Sequence, residues 1–86
     1  MDSQTIDNIA DLICDFIAAE TGFPLDDIET DLNLGAYGLS SAAAVKLIGL
    51  LEDRLDIRLS PTLVFEHPTV DELSEAVAEC CAEATA

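Results

Sequence analysis

Apolar residues recur at three- and four-residue steps through Ile6, Ile9, Ala10, Ile13, Phe16 and Ile17, while Asp7, Asp11 and Asp15 keep to another face. That spacing predicts a first amphipathic helix, because positions three and four apart lie on one side of a 3.6-residue turn. It is expected to stop near Thr21-Gly22, where glycine can take the left-handed cap conformation and Phe23-Pro24 discourages continuation. From Phe23 to Gly38 the apolar positions Leu25, Ile28, Leu32 and Leu34 follow no sustained period and sit among Pro24 and an acidic cluster. This reads as a long loop pinned to the core. A second helix from about Ser41 to Leu55 puts Ala44, Ile48, Leu51 and Leu55 on one buried face. Leu55, Ile57 and Leu59 then alternate with Asp56 and Arg58, the pattern of a short extended link. Ser60 and Pro61 read as the N-cap and first-turn proline of a short third helix that runs to about Phe65 and ends at His67-Pro68. Thr69-Val70-Asp71-Glu72 has the capping-box spacing, and Val70, Leu73, Val77, Cys80 and Ala84 follow at helical steps as a fourth helix.

These elements predict an all-α fold, a small four-helix bundle of three main helices and one short helix with a long first loop. Eighty-six residues allow a single domain, 1–86, with an ordered core expected over about 5–82. Half the residues are hydrophobic but only 5% are aromatic, so the core must be built from Ala, Leu, Ile and Val. Eighteen acidic residues against three basic ones give a net charge of −15, which argues against nucleic acid or an anionic membrane as partner and favours basic protein surfaces. A monomer is expected. The start Met1-Asp2-Ser3-Gln4-Thr5 lacks the positive head of a secretory signal and no apolar run approaches a membrane span, so the expected location is cytoplasmic. Cys14 and the pair Cys80-Cys81 are an odd number without CxxC spacing, and read as reduced residues at the core or its edge.

The chemistry concentrates at Tyr37-Gly38-Leu39-Ser40-Ser41, where a glycine-containing turn hands over to the second helix. Unpaired N–H groups and the macrodipole at a helix start favour a phosphate, and a serine there can be an N-cap, a nucleophile or a covalent attachment point. A hydrolase elbow needs G-x-S-x-G after a strand, but the last glycine of that pattern is Ala42 here and no strand pattern precedes it. His67, the single histidine, is followed by Pro68 between two helices and reads as a packing or capping residue. Asp27, Glu29, Asp31 and Asn33 alternate like calcium ligands, yet a twelve-residue loop begun at Asp27 puts Leu32 at the glycine position and Gly38 at the bidentate glutamate. No metal site is expected.

Two segments carry a family resemblance that extends from about Ile6 to Val77. The stretch Leu34 to Leu47, with Tyr37-Gly38-Leu39-Ser40-Ser41-Ala42 at its centre, is similar to the carrier signature that most often reads G-x-D-S-L, its serine falling on Ser41. The stretch Leu59-Ser60-Pro61-Thr62-Leu63-Val64-Phe65-Glu66-His67-Pro68-Thr69 is similar to the segment before the last helix of polyketide carriers. The chain thus resembles the acyl carrier protein family, particularly polyketide synthase carrier domains. It departs from the signature at Ser40, where aspartate is usual, and at Ala42, where a bulky apolar residue is usual.

The resemblance implies a non-catalytic carrier whose Ser41 receives the 4'-phosphopantetheine of coenzyme A from a phosphopantetheinyl transferase. Acyl groups then ride as thioesters on the arm's thiol, supplied by an acyltransferase or an acyl-adenylate ligase and used by a ketosynthase or other acyl-processing enzymes. Ser40 is the rival attachment site. The chain reads as a freestanding carrier of a polyketide-type pathway, or equally as a domain of a larger synthase. Alternatives are a carrier loaded by a separate acyl-adenylate ligase, a peptidyl carrier, and a non-carrier helical interaction module whose Ser41 is only a cap. Lys46, Arg54 and Arg58 all lie in or just after the second helix, and Leu50 points away from its buried stripe at about 100° per residue. Leu39, Ala42, Lys46, Gly49 and Leu50 are therefore the expected partner-docking residues, with Leu50 as anchor.

Overall fold

The computed structural model describes residues 3–85, and side chains of residues 5–82. Helix α1 spans Ser3–Thr21, α2 Ser41–Leu55, α3 Leu63–Glu66 and α4 Val70–Thr85. Ile9, Ile13 and Ile17 of α1 are buried while Asp7, Asp11 and Asp15 face solvent, so the predicted stripe is the packed one. The helix ends as its sequence dictates. Gly22 takes φ 81° and its N–H donates to the Ala18 carbonyl at 2.9 Å. The Thr21 hydroxyl donates to the Ile17 carbonyl at 2.6 Å, closing the last turn.

The connection to α2 contains two 3-10 turns, Leu25–Asp27 and Leu34–Tyr37, where no regular element was expected. Leu34 and Tyr37 are buried and pin the loop, as does a short stitch to the start of α4. There Asn33 and Thr69 form an isolated antiparallel bridge, the Leu34 N–H donates to the Pro68 carbonyl at 2.7 Å, and the Asp71 N–H donates to the Thr30 carbonyl at 3.0 Å.

Helix α2 buries Ala44, Leu47, Ile48 and Leu51. Leu47 thus joins the expected face, while Leu55 is only partly buried. The link after it is not extended at its first residue: Asp56 takes the left-handed conformation, φ 53°, and its N–H bonds back to the Glu52 carbonyl. Aspartate tolerates that region better than most residues, so it closes the helix where glycine is more usual.

The third helix corrects the sequence reading. It begins at Leu63 with Thr62 at the cap position, and Ser60 and Pro61 belong to the turn before it. The Ser60 hydroxyl bonds the Thr62 hydroxyl at 2.8 Å and accepts from the Thr62 N–H at 3.3 Å, making a local serine turn rather than a helix cap. In α4, the Thr69 hydroxyl accepts from the Glu72 N–H at 3.1 Å, as the capping-box spacing requires. Val70, Leu73 and Val77 are buried, Cys80 is partly buried, and the Ala84 side chain lies outside the described ones. Cys14, Cys80 and Cys81 pack, partly buried, against the core, which is formed chiefly by α1 and α4 with α2 packed against α1.

Candidate functional site

The entrance to α2 is built in four consecutive steps. Tyr37 ends the second 3-10 turn with its ring buried and edge-on to Phe23, centroids 5.4 Å apart. Its hydroxyl accepts from the Glu29 N–H at 2.7 Å and donates to the Glu29 carbonyl at 2.9 Å. Gly38 reverses the chain at φ 78°, a conformation that costs glycine nothing and most residues about 1 kcal/mol. Leu39 turns its side chain toward the core. Ser40 then adopts an extended backbone, φ −78° and ψ 166°, and caps α2.

The tandem serines have different roles. The Ser40 hydroxyl oxygen accepts from the Ala43 N–H at 3.1 Å, and its carbonyl accepts from the Ala44 N–H at 3.0 Å. Ser41 is the first helical residue and is exposed, and among the described residues its hydroxyl has no hydrogen-bond partner. The reading of Ser41 as a simple N-cap is thereby corrected, because one helix start has one cap position and Ser40 occupies it.

Beside the serines lies a cavity of about 210 Å³, bounded by the second 3-10 turn, α2 and α3. Leu34, Leu39, Ala44, Leu47, Val64, Phe65 and Pro68 give it apolar walls, and Asn33, Gly35, Ser40 and Ser41 form its polar edge. Leu39 and Ser41 of the expected site thus share one opening. The remaining members do not line it. Ala42, Lys46 and Gly49 are exposed along α2, whereas Leu50 is partly buried. The Lys46 ammonium pairs with the Glu20 carboxylate at 2.8 Å, tying α2 to the end of α1.

Two exposed apolar side chains near this entrance escaped the sequence reading, Val45 at 51% exposure and Phe65 at 60%. Val45 is one helical turn beyond Ser41, so the four-residue spacing carried a signal that the surrounding apolar residues obscured. Burial, then the Asp11, Asp15 and Asp71 carboxylates, push the Cys14 thiol above its ordinary 9.0, and burial does the same to Cys81. Both stay protonated at neutral pH, and no group of three or more metal-ligating side chains occurs among the described residues.

The profile described as "Phosphopantetheine attachment site" matches residues 11–77. This chain belongs to that family. The carrier is similar to polyketide synthase PksL of Bacillus subtilis, 34% identical over 71 residues that make up 83% of the chain but 2% of that protein. It is also similar to the phenolphthiocerol synthesis polyketide synthase type I Pks15/1 of Mycobacterium bovis, 32% identical over 77 residues, 88% of the chain and 4% of that protein. The carrier therefore spans only a few per cent of the length of these curated relatives. Among solved structures it resembles a free-standing peptidyl carrier protein from an uncharacterized Acinetobacter baumannii secondary metabolic pathway, with TM-score 0.80 and 30% identity over 86% of this chain and 92% of that one. It also resembles the acyl carrier protein LipD from Actinoplanes friuliensis, with TM-score 0.68 and 44% identity over 88% of this chain and 86% of that one.

The family cofactor is covalent 4'-phosphopantetheine, and the α2 entrance fits it. An accessible hydroxyl without a partner can form the phosphodiester, and the helix start beside it favours the negative phosphate. Carrier domains of this family are in general non-catalytic, and those of polyketide synthases work with acyl-processing enzymes. Among the described residues no helix is long and apolar enough to cross a membrane.

Proposed function

We propose that this chain is an acyl carrier of a polyketide-type pathway, itself without catalytic activity, with the arm attached to Ser41. The observation that carries this reading is the division of labour at α2: Ser40 is occupied as the cap, and the Ser41 hydroxyl is exposed and unpartnered. A phosphopantetheinyl transferase would join the Ser41 oxygen to the pantetheine-side phosphorus of coenzyme A, releasing adenosine 3',5'-bisphosphate and passing the hydroxyl proton to the transferase's base. The bound arm supplies a terminal thiol for thioester formation. The chain contributes a rigid bundle that presents this serine and a polar-edged opening beside it, so each docking event makes the transfer effectively intramolecular.

The further partners in this reading are an acyltransferase or acyl-adenylate ligase for loading and a ketosynthase or other acyl-processing enzymes afterwards. The whole chain 1–86 acts as one carrier domain, a cytoplasmic monomer. Leu39, Ala42, Lys46, Gly49 and Leu50 form the proposed docking surface, supported by the exposure of Ala42, Lys46 and Gly49 along one side of α2.

Intact-mass measurement after incubation with coenzyme A and a broad-specificity transferase tests the attachment. The expected result is a gain of one phosphopantetheine in the wild type and at the end point of Ser40→Ala, and none in Ser41→Ala. A wild type left unmodified by several transferases would remove the carrier reading.

A further inference from the structure

We propose that Ser40 is a positioning residue for modification: its cap bond selects Ser41 over its neighbour and holds the Ser41 hydroxyl outward. The inference rests on the carrier reading of Ser41 and adds a second residue to it.

Two adjacent serines in an exposed turn offer a transferase two hydroxyls of equal intrinsic reactivity, so selection must come from their surroundings. Both side chains are exposed and both edge the same cavity, which excludes burial as the discriminator. What separates them is hydrogen bonding. The Ser40 oxygen already accepts the Ala43 N–H at 3.1 Å, a bond that commits one of its two lone pairs and turns its hydroxyl onto the first turn of α2. The Ser41 oxygen has no such engagement among the described residues, so its lone pairs are available to the incoming phosphorus.

The same bond fixes the rotation of the helix start. Gly38 in the left-handed region and Leu39 packed toward the core bring the chain to Ser40 in one orientation. The cap then sets Ser40 as the last non-helical residue and Ser41 as the first helical one. A shift of one residue would make Ser41 the cap and free Ser40, exchanging their roles. The hydroxyl of Ser40 performs this as a neutral group, where the family signature usually has aspartate. Loss of the cap lets the first turn fray, so the Ser41 oxygen samples orientations unsuited to in-line attack. That defect belongs to the chemical step rather than to binding of coenzyme A.

The test compares wild type, Ser40→Ala, Ser40→Thr and Ser40→Asn as substrates of one broad-specificity transferase, at a temperature where circular dichroism shows every variant folded. Initial rates give kcat and KM for coenzyme A, and peptide mapping locates the label. Ser40→Ala is expected to lower kcat about fivefold with KM for coenzyme A unchanged, while Ser40→Thr and Ser40→Asn, which can cap, return it to within about twofold of wild type. A purely structural role would lower the melting temperature of Ser40→Ala without changing kcat among folded variants, and that result would overturn the proposal. Label found on Ser40 of the wild type would overturn it also. A wild type that takes no label at all would instead reject the underlying carrier reading, so the two failures are distinct.

Discussion

Tyr37 holds the first loop through both functions of one hydroxyl, accepting from the Glu29 N–H and donating to the Glu29 carbonyl. The ring of the same residue is buried and packs edge-on against Phe23, so Tyr37 couples the loop to the turn that delivers Ser41. Tyr37→Phe keeps the ring and deletes the two hydrogen bonds. Net hydrogen-bond contributions of about 1 kcal/mol each predict a loss of about 1–2 kcal/mol, seen as a fall in melting temperature of about 5–10 °C. The expected secondary consequence is faster amide exchange at Glu29, measurable by hydrogen exchange. Unchanged stability would mean that water replaces both bonds without cost.

Helix α2 is the element that separates the core from solvent beside the serine turn. Its buried side is Ala44, Leu47, Ile48 and Leu51, and the opposite side exposes Ala42, Val45, Lys46 and Gly49. Leu50 borders the two, and Lys46 is already paired with Glu20. Val45 is therefore the cleaner probe of docking, since a charge can be added at an exposed site without disturbing the core. Val45→Glu is expected to slow acyl transfer to a partner ketosynthase about tenfold while leaving the melting temperature within about 2 °C of wild type. Leu50→Glu should slow transfer and also lower stability, because its side chain is partly buried. Transfer kinetics unaltered by both substitutions would exclude this side of α2 as the docking surface.

At the scale of the molecule the governing feature is charge. The radius of gyration, 11.9 Å, matches the roughly 12 Å expected for a packed domain of this length, so a net charge of −15 is compressed into a small volume. Asp7, Asp11 and Asp15 repel along one face of α1, and the first loop adds Asp26, Asp27, Glu29 and Asp31, all exposed. Of the three cations, Lys46 is the one in an ion pair among the described residues. Screening should thus stabilise the fold: raising sodium chloride from near zero to about 0.5 M at neutral pH is expected to raise the melting temperature by about 5 °C. A flat or falling melting curve would show that the repulsion is energetically minor.

Local spacing determined much of this protein before any tertiary contact was considered. The stripe Ile9, Ile13 and Ile17, the stop at Gly22 and the Thr69 cap of α4 depend on residues within one or two turns, so the sequence displays them directly. The serine turn was legible for the same reason, as a contiguous motif. Other features required the folded chain. Which tandem serine caps α2 depends on the phase at which Gly38 and Leu39 deliver the helix, and that phase is set by packing. The start of α3 moved from Pro61 to Leu63, and its cap from Ser60 to Thr62, because the Ser60 hydroxyl is taken up in a turn with Thr62. Helical spacing turned Leu50 away from the buried stripe and left Leu47 unplaced, whereas packing against neighbouring elements makes Leu50 partly buried and Leu47 core. The long loop owes its shape to Tyr37 reaching Glu29 and Asn33 pairing with Thr69, contacts between residues whose separation leaves no periodic trace in the sequence.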